Sequence, residues 1–425
     1  MLALLKRLFP ICRSLTGNGV RETFDILRGE LPDLAVHEVP TGTKVFDWTI
    51  PDEWTIRAAR LTGPDGEVIA DLAWNNLHVV GYSEPVDACL DLEELQPHLH
   101  SRPDLPEAIP YVTSYYKRYW GFCLPDARRK TLRPGTYHAF IDSTLAPGSM
   151  TYADLVIPGA SPEEVFLSTY VCHPSMANNE LSGPVVAVAL AHWLAERPRR
   201  YTYRFVFAPE TIGAITYLSR NLKHMQEKTV AGFNLSCMGD DRSYSYVPSR
   251  KGGTLADKVA LHVLRRFHPD FVRYTFLDRQ SDERQYCAPG IDLPFCAVMR
   301  TKYSAFPEYH TSLDNLDVVT EKGLEGGYLV VRRCLEALEA NLTYGQKILC
   351  EPQMGRRGLY ATLSTVGSTD GCVTNMMDLI AYVDGKTSLL DIAETIGLDI
   401  FQCDRLARTL VEHGVIDPPG AEGNA

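Results

Sequence analysis

The chain has 425 residues, 45% hydrophobic and 22% charged, with 42 Lys and Arg against 53 Asp and Glu for a formal net charge of −11. That length holds a large core and roughly two to four domains. The acidic balance, with no concentrated basic stripe, argues against nucleic acid as the main ligand. No apolar window of about 18 residues occurs, which argues against a transmembrane span.

The first residues, MLALLKRLFPICRSLTGNG, carry too short an apolar run for a signal peptide and no small-residue cleavage site, so they read as an amphipathic helix. Leu5 to Leu31 continues as helix, interrupted by Pro10 and by Gly17 and Gly19, and Val36 to Val39 reads as a strand. From Pro51 to about residue 150 the texture turns β-rich. Glu67 to Ala70, Leu77 to Tyr82 and Gly135 to Ile141 are strand-like, and the aromatic stretch Tyr111 to Phe122 supplies that segment with a core of its own.

Strands and helices then alternate to about residue 343, as an α/β sheet requires. The long helix Glu321 to Leu342 carries an apolar stripe at Leu324, Tyr328, Val331, Cys334 and Leu338, suited to packing across that sheet. Beyond Gly345, Ser388 to Ile396 and Phe401 to His413 read as two short amphipathic helices of winged-helix texture, with Ala421 to Ala425 a disordered tail. The candidate recognition helix sets two arginines against an Asp and a Glu. That is too little positive charge for reading DNA, so packing or oligomerisation suits it better. The eleven cysteines are odd in number, scattered and never spaced C-x-x-C, which points to free thiols in a reducing cytoplasm.

The chemistry concentrates where apolar runs end. Val165 to Val171 feeds into His173 within T-Y-V-C-H-P-S-M-A-N-N-E-L-S-G, and a helix-like run, Pro184 to Leu194, follows. Tyr203 to Ala208 ends at Glu210, Val230 to Cys237 ends near Asp240, and Leu293 to Met299 leads towards His310. Polar side chains at the carboxyl ends of strands in an open sheet can converge on one crevice. Glu210 suits a general base with a raised pKa. His310, in P-E-Y-H-T-S-L-D-N-L-D, suits a metal-binding or catalytic ring oriented by neighbouring carboxylates. Asp282, Glu283 and Arg284 form a charged turn that reads equally as a solvated loop or a substrate contact. Cys172 beside His173 invites a Cys–His nucleophile, but strand neighbours point to opposite faces, which argues against it. No G-x-S-x-G, P-loop or dinucleotide fingerprint occurs.

Asn179-x-x-Ser182-Gly183, Glu210-x-x-Gly213, Asn234-Leu235, Ser281-Asp282 and Tyr309-His310-Thr311-x-x-Asp314 occur in the order seen in zinc-dependent aminopeptidases of the M28 type, which the chain resembles. P-D-E-W-T-I-R (51–57), C-H-P-S-M-A-N-N-E-L-S-G and S-D-E-R-Q-Y make it more similar still to bacterial aminopeptidase-like proteins with a β-rich insertion and a C-terminal winged helix. The resemblance implies an α/β zinc-exopeptidase-like open mixed sheet with helices on both faces. Residues 1–50 and 150–345 would form that domain, 51–149 the insertion, 346–417 the winged helix and 418–425 the tail.

It also implies two zinc ions sharing a water, a bridging aspartate and a glutamate base. His173 and His310 match the histidine ligands and Glu210 the base. The bridging aspartate falls on Asn179, the acid after the base on Thr211, and the acid of the central strand on Ser236. Two close dications need such carboxylates to offset their repulsion. The expectation is therefore one zinc rather than two, on His173 and His310 with Glu180 or Asp240 as third ligand, or else no metal. The implied reaction is hydrolysis of an amide next to a free amino group, in a peptide or an amino-acylated small molecule. Asn179, Asp282, Glu283, Arg284 and Tyr309 would hold the substrate. The alternative is a metal-poor or metal-free member that processes amides, or only binds, in secondary-metabolite or polysaccharide biosynthesis. No nucleic acid or membrane partner is expected, and a homo-oligomer is allowed.

Overall fold

The structure is a computed structural model that describes residues 1–359 and 371–420; the tail from Ala421 lies outside them. The chain forms two units, Met1–Asp257 with Asp270–Leu329, and Lys258–Pro269 with Val330–Ala425.

The first unit is built on one mixed sheet. Its strands are β1 (Ala35–Pro40), β2 (Ser149–Ile157), β3 (Glu164–Tyr170), β4 (Thr202–Ala208), β5 (Thr229–Asn234), β6 (Ser245–Val247), β7 (Val272–Arg273) and β8 (Phe295–Met299). They lie side by side in the order β1-β2-β4-β3-β5-β8-β6-β7. The central four, β4, β3, β5 and β8, are parallel; β2 and β6 flank them antiparallel. All seven residues of β3 are buried, which explains its largely apolar and β-branched sequence, since a central parallel strand is covered on both faces; its one charge, Glu164, is paired with Arg204.

Helix α1 (Ser182–Ala195) connects β3 to β4, and helix α2 (Ile212–Lys228) connects β4 to β5. The first connection steps one way along the sheet and the second crosses back over β3. Right-handed crossovers therefore put the two helices on opposite faces. The reversal leaves a crevice at the carboxyl ends of β3 and β4, where open α/β sheets take their ligands. His173 stands just past β3 and Glu210 just past β4.

The helix after β3 starts earlier than its apolar run suggests. A π-helical turn, Ala177–Leu181, precedes α1, and the buried Asp314 carboxylate accepts from Asn178 N at 2.7 Å and Asn179 N at 2.8 Å. A carboxylate at this end satisfies N–H groups that have no partner within the helix. Such π turns recur at functional sites.

Within residues 51–149, Val68–Asp71, Glu53–Thr62, Thr136–Ala146 and Val86–Asp91 form, in that order, a four-stranded antiparallel sheet. Leu61, Leu95, Phe122, Tyr137 and Ile141 pack as its own core. The expected strand Leu77 to Tyr82 is absent. Asn76–His78 is a 3-10 turn, because the Asn75 side chain accepts from Leu77 N at 2.9 Å and so offers the backbone an alternative to a ladder. The N-terminal helix is split as expected, into Leu2–Leu8 and Asn18–Glu30, with Gly17 at φ +92° between them.

The second unit carries the winged helix. Helices Gly371–Tyr382, Leu389–Ile396 and Ile400–Glu412 accompany the antiparallel pair Gly345–Gln346 and Ile416–Asp417. Ser388 and Asp399 cap the last two helices through Asp391 N and Gln402 N. The first of the three helices was not anticipated from the sequence.

Candidate active site

The loop after β3 carries His173 on a fully buried scaffold. Arg13, itself without solvent exposure, donates from Nε to the His173 carbonyl at 3.1 Å and from Nη1 to the Leu8 carbonyl at 2.7 Å. Its Nε also lies 3.9 Å from Glu180 Oε1. Glu180 Oε2 in turn meets His173 Nδ1 at 2.6 Å. An imidazole tied through Nδ1 to a carboxylate presents Nε2 outward, the arrangement that orients metal-binding histidines. Glu210 Oε2 lies 3.6 Å from that Nε2.

His310 comes from the loop after β8, at φ +56°, and its backbone carbonyl accepts from Tyr111 N at 3.0 Å. Its ring centroid is 5.2 Å from that of His173, and the Tyr111 ring stands 5.2 and 5.3 Å from the two. Tyr309 stacks on His310 at 3.9 Å. His310 Nε2 is buried without a hydrogen-bond partner.

His173, His310 and Glu210 share a cavity of about 420 Å³, lined also by Trp48, Tyr111, Tyr115, Tyr116, Thr211 and Arg284. The aromatic stretch 111–122 is thus divided. Tyr111, Tyr115 and Tyr116 face the cavity, whereas Trp120 packs against the core of the four-stranded sheet and stacks on His98 at 3.7 Å.

Burial dominates the electrostatics. It pushes the Glu210 carboxyl above its ordinary value, against the opposing pull of His173 and Arg284. Burial alone would lower His173, but Cys172 and the carboxylate of Glu180 outweigh it and hold the imidazole well above the usual histidine range. His310 goes the other way, down to about 2, through burial and the neighbouring His173. His310 is therefore neutral, with a lone pair available. Burial, together with Glu210, also lifts Asp282.

The remaining sequence candidates are placed differently. Asp240 is enclosed by Asn178 Nδ2 at 3.2 Å, Arg242 N at 2.9 Å and Thr301 N at 3.0 Å. Its donors hold the loops after β5 and β8 together, and it is not among the residues lining the cavity. Glu283 accepts from Tyr303 Oη, Gln280 N, Ser281 N and Asn234 Nδ2, a knot beneath the site. Asn179 Oδ1 accepts from Tyr170 Oη at 3.1 Å. Asp282 Oδ1 accepts from Thr211 N at 2.7 Å and its Oδ2 has no partner. The structure thus brings His173, Glu210, His310 and Arg284 to one cavity, with Glu180 bracing His173 from behind. Asn179, Asp240, Asp282, Glu283 and Tyr309 are not among the residues that line the cavity.

The loop also corrects an expectation about Cys172. Beyond the end of β3 the alternation of faces lapses, and its Sγ sits 3.5 Å from His173 Nδ1. Burial pushes that thiol up to about 11, so it is not a thiolate nucleophile at neutral pH. Cys172, His173 and Glu180 place ligand atoms within 4.8 Å of one another. With Nδ1 already closed by Glu180, this trio anchors the ring instead of framing an ion site.

The donor set can be tested against the zinc that the resemblance implies. At a zinc–nitrogen distance of about 2.0–2.1 Å, two rings on one ion have centroids within roughly 6 Å, and 5.2 Å satisfies this. The buried, unpartnered Nε2 of the neutral His310 ring and the outward Nε2 of His173, which must first give up its proton, offer two ligand atoms for a single cation. They do not fit two cations. The three positions that would carry acids are Asn179, Thr211 and Ser236, and Ser236 Oγ is buried and unpaired.

An α/β aminopeptidase-like architecture with its polar residues at the switch point is the class these observations define. A zinc aminopeptidase from Bacillus subtilis has the same fold, with TM-score 0.56 at 13% identity over 79% of this chain and 93% of that one. The profile of the domain of unknown function DUF4910 matches residues 2–341, and a winged helix-turn-helix profile matches 342–418; the chain belongs to the DUF4910 family. A Clostridium acetobutylicum protein, provisionally named for polysaccharide biosynthesis with an aminopeptidase-like domain, is 43% identical over 93% of this chain and 91% of its own. A crystal structure from the same organism, provisionally called a peptidase, superposes with TM-score 0.92 at 40% identity over 98% of this chain and 95% of that one.

Proposed function

We propose that this chain hydrolyses an amide next to a free amino group, in a peptide or an amino-acylated small molecule, with one zinc ion as cofactor. The observation that carries this reading is the pairing of the outward His173 Nε2 with Glu210 at 3.6 Å, beside the unpartnered Nε2 of His310.

His173 and His310 would hold the ion, which when bound would polarise the scissile carbonyl as a Lewis acid. Glu180 fixes the His173 ring through Nδ1 and leaves Nε2 to the cavity. Glu210, with its raised pKa, takes a proton from the attacking water and returns it to the leaving amine. Tyr111, Tyr115 and the other aromatic walls keep bulk water from the reacting amide. The cysteines form no disulfide among the described residues, which supports a reducing cytoplasm as its compartment, and the name of the clostridial relative supports a biosynthetic setting.

Metal analysis of protein purified without chelator, together with Glu210→Gln, tests the reading. About one zinc per chain is expected, with hydrolysis of aminoacyl anilides lost in the variant by roughly 10²–10⁴-fold and metal content unchanged. Loss of zinc along with turnover would make Glu210 a ligand. A metal-free wild type without turnover would favour the alternative, a fold member that binds its small molecule without cleaving it.

A further inference from the structure

Arg284 lines the same cavity as Glu210, yet the reaction just described gives it no task. Its Nη2 donates to Thr211 Oγ1 at 2.6 Å, and its Nε is buried without a partner. Among the described residues no carboxylate oxygen lies within the 4.0 Å of an ion pair with its guanidinium. Asp282, two residues before it, turns Oδ1 to Thr211 N instead.

Thr211 is therefore gripped twice, and it sits at φ +65°. A β-branched residue is a genuine outlier there, and such a conformation persists only where the surroundings impose it. Thr211 is also the position at which the resemblance expects a metal-binding acid. An acid that would hold a cation has become a hydroxyl that anchors one already built into the chain. A guanidinium on the cavity wall whose buried Nε has no partner can take an anion that enters the cavity. Its planar, multi-donor fork matches a carboxylate.

We propose that Arg284 binds a free carboxylate of the substrate, next to the amide served by Glu210. This rests on the reading of Glu210 as the group at the scissile bond. Arg284 touches the residue that follows Glu210, so carboxylate and amide occupy neighbouring positions. The preferred substrate class is then a small α-amido acid, such as a dipeptide or an aminoacylated amino acid, over an amide without a carboxylate such as an aminoacyl anilide.

The test is ligand-observed NMR titration of the chelator-treated full chain with N-acetylglycine and N-acetylglycinamide, which differ only in the carboxylate. Chelation removes any metal that could itself bind an acid. The acid is expected to bind about ten-fold tighter than the amide, and Arg284→Gln is expected to abolish that preference. Equal binding of the two by the wild type overturns the site, as does a preference that survives in Arg284→Gln. Inorganic phosphate binding as tightly as the acid overturns the carboxylate assignment. The wild-type comparison stands even if the variant does not fold. Because none of these measurements needs turnover, a failed hydrolysis assay leaves the inference standing. Cleavage with no carboxylate preference overturns the inference alone.

Discussion

His173 is braced by Glu180 on one ring nitrogen and faced by Glu210 on the other, and Arg13 stands behind Glu180 with no exposure of either side chain. A buried charge that loses its partner is destabilising by several kcal/mol. Arg13→Met is therefore expected to cost about 3 kcal/mol in denaturant unfolding. It should also lower turnover by displacing the His173 carbonyl that Arg13 holds. A variant of unchanged stability would show that Glu180 has another counter-ion. The proton balance of Glu210 gives a second expectation. It must be ionised to act as a base, and burial raises its pKa above the ordinary 4.5. The acid limb of kcat/KM should therefore lie above the usual carboxylate range, with activity present on the alkaline side and lost as pH falls. A limb at or below 4.5 would assign it to another group.

The loop carrying Glu180 depends on close contact between α1 and the end of β5. A Cβ on Gly183 would fall 2.2 Å from the Leu235 carbonyl oxygen and 2.4 Å from Thr169 Oγ1. Gly183→Ala must push the start of α1 away from the sheet. We expect a loss of about 2–3 kcal/mol and a weakened site, read from unfolding curves and turnover together. In the winged-helix unit, His262 Nε2 accepts from Ile400 N at 3.0 Å, while Nδ1 meets Glu394 at 2.5 Å. Accepting requires an unprotonated Nε2. Burial lowers this pKa; Arg266 adds to the lowering, and Glu394 and Asp399 only partly oppose it. A histidine whose folded pKa is depressed contributes stability above its unfolded value, near 6.5, and loses it as pH falls. The melting temperature should therefore drop between pH 7.5 and 5.5, and less steeply in His262→Asn. Equal slopes in the two proteins would remove His262 as the cause.

At the scale of the whole molecule, the net charge of −11 and the make-up of the winged helix point the same way. In Ile400–Glu412, Arg408 is committed to Asp404 at 2.8 Å, and Glu412 stands at the helix end. Little free positive charge is left to displace counter-ions from phosphates. The full chain is expected to cause no mobility shift of duplex DNA at about 0.15 M salt. A salt-dependent shift there would restore a regulatory role. None of the described helices is long and apolar enough to cross a membrane.

The sequence alone determined the alternating architecture and the ends of the central strands, because buried parallel strands need unbroken apolar runs and turn residues punctuate them. Through the resemblance it also exposed the loss of three acids at Asn179, Thr211 and Ser236, which is a matter of residue identity and not of geometry. Only the tertiary structure decided which polar groups meet. Asp240 and Glu180 stand out equally on paper, yet donors from its own loop and from the distant Asn178 and Thr301 enclose the first, and the second braces a ring from behind. Arg13 carried no local signal at all. The His173 carbonyl it holds lies 160 residues away, and nothing in the period of a helix or strand records which charge will be buried against it.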